Sequence, residues 1–133
     1  DDIMLCIHPG EHGSTYGGNP LACAVATEAI NVIMEEKLAD NAVKMGELLR
    51  KGLQEISHPL IKTVRGRGLL NAIEINDTPE SETAWNLCME FSRNGLLAKP
   101  THGNIIRLAP PLVINESQIY EALEIIKLSL NKF

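Results

Sequence analysis

Ile61-Lys62-Thr63-Val64-Arg65-Gly66-Arg67-Gly68-Leu69-Leu70-Asn71-Ala72-Ile73-Glu74-Ile75 is the stretch on which the fold turns. β-branched residues sit at both ends, and the apolar positions approach the period of two that marks a pleated strand. The spacing predicts a short strand over 61–64, a tight connection at Arg65-Gly66-Arg67-Gly68, and a second strand over 69–75 with partial alternation. A link that short brings the chain back beside itself, which pairs the two strands antiparallel.

Upstream of this stretch the pattern is helical. Asn19 is a good N-cap and Pro20 suits the first helical position, where its missing N–H costs nothing. An alanine-rich helix follows, with Leu21, Val25, Ala29, Ile30 and Ile33 as its apolar residues. A second helix is expected from about Ala39 to Ile56, its buried face marked by Val43, Leu48, Leu49, Leu53 and Ile56. Asp40 is a candidate cap, and the two helices could equally run together with a bend; His58-Pro59 ends the region.

Downstream, Asn76-Asp77-Thr78-Pro79 is turn chemistry. Glu82–Arg93 is expected to be a helix with Trp85, Cys88 and Met89 on its core face, closed by Asn94-Gly95. Leu96-Leu97-Ala98 and Ile105-Ile106-Arg107-Leu108 read as short strands around Pro100–Asn104. Asn115, with Gln118 three residues on, forms a capping box for a last helix whose core side carries Ile119, Leu123, Ile126 and Leu130. The order is loop, helix, helix, strand, strand, helix, strand, strand, helix. It predicts an α+β fold: a small, mostly antiparallel sheet with helices on one face.

The 133 residues suffice for one core, and 44% apolar with 22% charged residues is ordinary for a globular chain. A net charge of -5 and the lack of any Lys/Arg run argue against nucleic acid as a partner. No apolar run is long enough to span a membrane. Cys6, Cys23 and Cys88 cannot pair completely and lack CxxC spacing, so neither a disulfide framework nor a metal cluster is supported, and a reducing compartment is the simplest home. The opening Asp1-Asp2-Ile3-Met4-Leu5 has neither an initiator Met nor a leader pattern, and reads as an entry in mid-sequence.

Three segments could carry chemistry. In His12-Gly13-Ser14-Thr15-Tyr16-Gly17-Gly18-Asn19-Pro20, two hydroxyls stand beside glycines just before a helix, which suits a phosphate group or an ordinary capped loop. Arg107 stands among strand hydrophobes, so it either binds a carboxylate or faces solvent. Arg65-Gly66-Arg67-Gly68 is a basic anion nest or a tight turn. His12 and His102 lie in Gly-containing loops without metal-ligand spacing, and no nucleophile–base pair is defensible.

These three segments, in this order and spacing, resemble the class III, pyridoxal-phosphate-dependent aminotransferases. The segment Gly95-Leu96-Leu97-Ala98-Lys99-Pro100-Thr101-His102-Gly103 looks most like the branch of that family acting on ornithine. The resemblance implies that residues 1–19 are a loop from the end of the large cofactor-binding domain. Residues 20–133 would then be the C-terminal small domain of a fold-type I enzyme, interdomain helix included. It implies that Ser14 and Thr15 reach the cofactor phosphate of a neighbouring subunit in a homodimer, and that Arg107 binds substrate carboxylate or pairs with an active-site glutamate. The Schiff-base lysine of the family lies further upstream than this chain extends; no lysine precedes Lys37, and Lys99 belongs to another motif. The implied reaction moves the δ-amino group of ornithine to 2-oxoglutarate, in the cytoplasm or the mitochondrial matrix, with this chain inactive alone. Acetylornithine and 4-aminobutyrate branches, or a non-catalytic small-molecule binding module, are the alternatives.

Overall fold

Strands β1 (Ile61–Arg67) and β2 (Leu70–Ile75) pair antiparallel, as their sequence demands, but the first strand is longer than expected. Arg65-Gly66-Arg67 is strand rather than turn, and only Gly68-Leu69 makes the connection. The glycines allow this. A Cβ on Gly66 would stand 2.3 Å from Asn71 Oδ1, so the two strands approach too closely there for any side chain. Gly68 takes a positive φ of 53° at the reversal.

The computed structural model describes residues 2–133, and the backbone divides into two units, Asp1–Glu36 and Lys37–Phe133. The first unit holds a short 3-10 turn, Met4–Cys6, a glycine-rich loop, and helix α1 (Pro20–Glu35). Asn19 caps α1 as its sequence implies, its side-chain oxygen accepting from the N–H groups of Leu21 and Ala22 at 3.0 and 3.2 Å. No residue of α1 is buried; Leu21 and Met34 are each 73% exposed.

The second unit contains α2 (Leu38–Glu55), β1, β2, α3 (Thr83–Arg93), β3 (Lys99–Thr101), β4 (Ile105–Leu108) and α4 (Glu116–Leu130). The sheet order is β1-β2-β4-β3 and every pairing is antiparallel. One face of the sheet carries Ile73, Ile75, Ile106 and Leu108, all buried under α2, α3 and α4. The core closes with Met45, Leu49 and Leu53 from α2, Leu87 and Phe91 from α3, and Ile119, Leu123, Ile126 and Leu130 from α4. This is the expected α+β layer.

Several details differ from the sequence reading for local reasons. Helix α2 begins at Leu38, after Lys37 in a left-handed conformation (φ 51°), which separates it from α1; Asp40 lies inside the first turn and does not cap. Val43 is exposed and Met45 takes its place, because the inward stripe runs Leu38, Met45, Leu49, Leu53. On α3 the buried stripe is Ala84, Leu87, Cys88 and Phe91, an i, i+3, i+4, i+7 pattern. Trp85 and Met89 are one position off it and point outward, Trp85 at 57% exposed. The third strand is Lys99–Thr101, not Leu96–Ala98; Pro100, with no N–H to give, is tolerated because β3 is an edge. The α4 capping box forms as read, Asn115 Oδ1 accepting from Gln118 N–H and Gln118 Oε1 from Asn115 N–H.

Candidate functional site

The face of the sheet opposite the helices is basic. Antiparallel register places Arg65 opposite Ala72, Ala72 opposite Arg107, and Arg107 opposite Lys99, so one cross-strand row reads Arg65–Ala72–Arg107–Lys99. Directly opposed residues project to the same side. The neighbouring row is Thr63–Glu74–Ile105–Thr101, and Arg67 stands opposite Leu70. Glu74 is paired, its Oε1 2.7 Å from Lys62 Nζ. Among the described residues no ion pair or side-chain hydrogen bond holds Arg65, Arg67, Lys99 or Arg107.

A concavity of about 470 Å³ opens on this face between the two arginine-bearing strands, with Arg65, Arg67, Ala72, Thr101, His102 and Arg107 among its walls. Ala72, with only a methyl group, leaves room above its floor. His102 enters from the β3–β4 turn, where it adopts a positive φ of 49° beside Gly103. That turn is anchored: Asn104 Nδ2 donates to the carbonyls of Ile75 and Asp77 at 3.2 and 3.1 Å. Gly103 lies so close to Pro79 that an added Cβ would stand 2.0 Å from its carbonyl oxygen. The arginines are anchored from behind. Arg50 of α2 donates to the Gly68 carbonyl at 2.8 Å and to Asn71 Oδ1 at 2.7 Å, fixing the β1–β2 reversal from the core side.

Arg107, read from the sequence as either carboxylate-binding or solvent-facing, is an exposed guanidinium without an ion-pair partner among the described residues, on this cation-rich face. Arg65 and Arg67, read there as a basic anion nest or a tight turn, lie on strand β1 and not in a turn. Their signal was the alternation itself, since Arg-Gly-Arg on a strand sends both arginines to one face and the glycine to the other.

Ser14 and Thr15 lie in the other unit. Ser14 Oγ accepts from Gly17 N–H at 2.9 Å, which leaves its hydroxyl proton to donate. Thr15 is exposed, and its side chain has no hydrogen-bond partner among the described residues. Asn19 already satisfies the first N–H groups of α1, so an anion here would be held by the two hydroxyls rather than by the helix end. Two free O–H donors on a glycine-flanked loop fit a phosphate. His12 is exposed in the same loop.

Other reactive groups stay outside. Cys88 is buried and its thiol is pushed up to about 11, which makes it inert as a nucleophile. Among the described residues no group of three His, Cys, Asp or Glu could hold a metal ion, and no helix is long and apolar enough to cross a membrane.

A family model described as aminotransferase class-III matches residues 1–130. The chain belongs to the class-III aminotransferase family. It is 60% identical over 127 residues to the ornithine aminotransferase, mitochondrial, of Drosophila melanogaster, covering 96% of this chain and 29% of that protein. The mitochondrial enzyme of the same name from Rattus norvegicus is 58% identical over 133 residues, covering 100% of this chain and 30% of that protein. Among solved structures, the acetylornithine aminotransferase of Elizabethkingia anophelis superposes with a TM-score of 0.87 at 58% identity, covering 99% of this chain and 35% of that one. An ornithine aminotransferase from Toxoplasma gondii, described with partial occupancy of pyridoxal phosphate at its active site, superposes at 0.81 with 44% identity, covering 99% of this chain and 31% of that one. The chain thus spans about 29% of the fruit-fly relative. Its class-III sheet and helices are those of fold-type I aminotransferases.

Proposed function

We propose that this chain is the C-terminal part of a transaminase that moves the δ-amino group of ornithine to 2-oxoglutarate. The observation that carries the reading is the unpaired Arg107 on the open face of the sheet, set in a chain 60% identical to a protein named ornithine aminotransferase. On this reading residues 1–19 close the large cofactor-binding domain and residues 20–133 form the small domain with its interdomain helix. The enzyme is a homodimer in the mitochondrial matrix or the cytoplasm.

The residues present fit pyridoxal phosphate, with Ser14 and Thr15 donating their hydroxyls to its phosphate across the subunit interface. When bound, that cofactor supplies the electron sink that labilises bonds at the amino-bearing carbon. The lysine that anchors it lies outside this chain. Arg107 donates to a substrate carboxylate through its planar fork and so orients the amino or oxo group toward the reacting centre.

A second reading is favoured by one finding. The Elizabethkingia anophelis structure, at 58% identity, is named for acetylornithine rather than ornithine. The two donors differ by an acetyl group on the α-nitrogen, so the complete enzyme assayed with ornithine, N-acetylornithine and 4-aminobutyrate separates them. Ornithine is expected to give the highest kcat/KM; a clear preference for N-acetylornithine overturns the ornithine assignment and leaves the transaminase reading in place.

A further inference from the structure

We propose that the Asn94-Gly95 step at the end of α3 is a covalent modification site, where the asparagine side chain deamidates spontaneously and so releases α3 from α4. Asn94 is the only asparagine of the chain that is followed by glycine. The glycine matters because the nucleophile is its own backbone nitrogen, which no side chain shields. Water is the only co-reactant. The Gly95 nitrogen gives up its proton and attacks Asn94 Cγ; a C–N bond forms, the Cγ–Nδ2 bond breaks, and the amide nitrogen leaves with that proton as ammonia. Water then opens the cyclic imide at either carbonyl. The product is an aspartyl or isoaspartyl residue carrying one new negative charge, and nothing is oxidised or reduced.

The structure supplies both the access and the restraint. Gly95 is exposed, and a Cβ there would meet nothing within 4 Å, so water and hydroxide reach the peptide from an open side. The restraint is the tie between α3 and α4. Asn94 Nδ2 donates toward the Glu90 carbonyl, Glu90 Oε1 and Ser129 Oγ, each at 3.0 Å, and Gly95 N–H donates to the Ser92 carbonyl at 3.1 Å. Attack requires these bonds to let go, so it proceeds from the fraction of molecules in which the tie stands open. The product cannot remake it. A carboxylate at position 94 has no N–H to give, and it faces the buried Glu90 carboxylate, whose ion-pair partners are Arg93 and Lys132. Ser129 can turn its hydroxyl proton toward the new oxygen and keep one bond. The two Glu90 acceptors lose theirs, and two like charges are brought together at a site partly shielded from water.

The test incubates the complete holoenzyme in mildly alkaline buffer and follows the Asn94 peptide by mass spectrometry, with chromatography separating the aspartyl and isoaspartyl forms. The folded parent is expected to convert at Asn94 before any other asparagine, and the urea-unfolded chain to convert faster. Ser129→Ala, which removes one acceptor of the amide, should convert roughly fivefold faster than the parent, the scale of one neutral hydrogen bond. If that variant melts below the incubation temperature, Lys132→Gln, at the exposed end of the same tie, makes the same comparison. Gly95→Ala should slow conversion sharply even in urea, where its backbone strain is irrelevant. In a separate arm, Asn94→Asp should melt below Asn94→Ala, since both lose the amide and only the first adds the charge. A folded parent that stays unmodified while the unfolded chain converts overturns the site. A loosened tie that leaves the rate unchanged overturns its control by α4. An Asn94→Asp variant as stable as Asn94→Ala overturns the release of α3 by charge.

Discussion

At the scale of single residues, the hydroxyls of the first loop have different freedoms. Ser14 spends its oxygen on Gly17 N–H, which shapes the loop, whereas the Thr15 hydroxyl has no partner among the described residues. Thr15→Ala in the complete enzyme should therefore weaken cofactor retention roughly tenfold, as expected for one hydrogen bond to a phosphate. Thr15→Ser should restore most of it, and fluorescence titration of the apoenzyme with pyridoxal phosphate reads both. An unaltered affinity in Thr15→Ala would remove that residue from the phosphate site. The sequence made Arg107 legible because a lone guanidinium among Ile105, Ile106 and Leu108 stands out against its strand. The strand placement of Arg65 and Arg67 was harder to read, because interleaved glycines mimic a turn. What makes them strand is a long-range fact, the close approach of Gly66 to Asn71.

At the scale of elements, Gly46 shows the same limit. A glycine inside a helix costs about 1 kcal/mol in propensity, and the sequence offers no reason for it. The reason is packing: a Cβ at 46 would stand 1.8 Å from the Gly68 carbonyl oxygen, backbone that cannot yield as a side-chain tip would. Gly46→Ala should lose about 1–3 kcal/mol of stability despite the better helix former, read from the urea midpoint. A neutral or stabilised variant would mean that α2 is free to move off the β1–β2 turn. The α3–α4 tie makes a separate prediction. Glu90, buried on α3, bonds Lys132 beyond the end of α4, and also Arg93 and Asn94, and Asn94 reaches Ser129 at 3.0 Å. Lys132 first, then Arg93, hold the Glu90 carboxyl below its ordinary value. A depressed carboxyl stabilises the fold fully above the ordinary unfolded value and loses that contribution as the pH falls through the folded one. Glu90→Gln should accordingly lower Tm at pH 7, and the gap from the parent should narrow as the pH is taken down to about 3. A gap that does not vary with pH would assign the effect to packing instead.

At the scale of the whole molecule, the two units have unequal means of standing alone. Lys37–Phe133 buries a continuous core from three helices and a sheet, and its helix caps, turn residues and strand pairings agree with that core. Element order and the core of α4 were readable because Asn115 and the stripe at 119, 123, 126 and 130 repeat one message at two levels. The outward turn of Trp85 was not readable, because its period fits a helix face as well as the true stripe one position away. The first unit is different in kind. Helix α1 has 16 residues, a good cap and no buried side chain. A helix of that length without packing is marginal in water. Residues 37–133 expressed alone should therefore melt in one cooperative transition. A peptide of residues 2–36 should show weak helicity that fades gradually on heating, both followed by far-ultraviolet circular dichroism. A gradual melt of 37–133 would show that its core needs surfaces from elsewhere, since cooperativity is what a self-sufficient core confers.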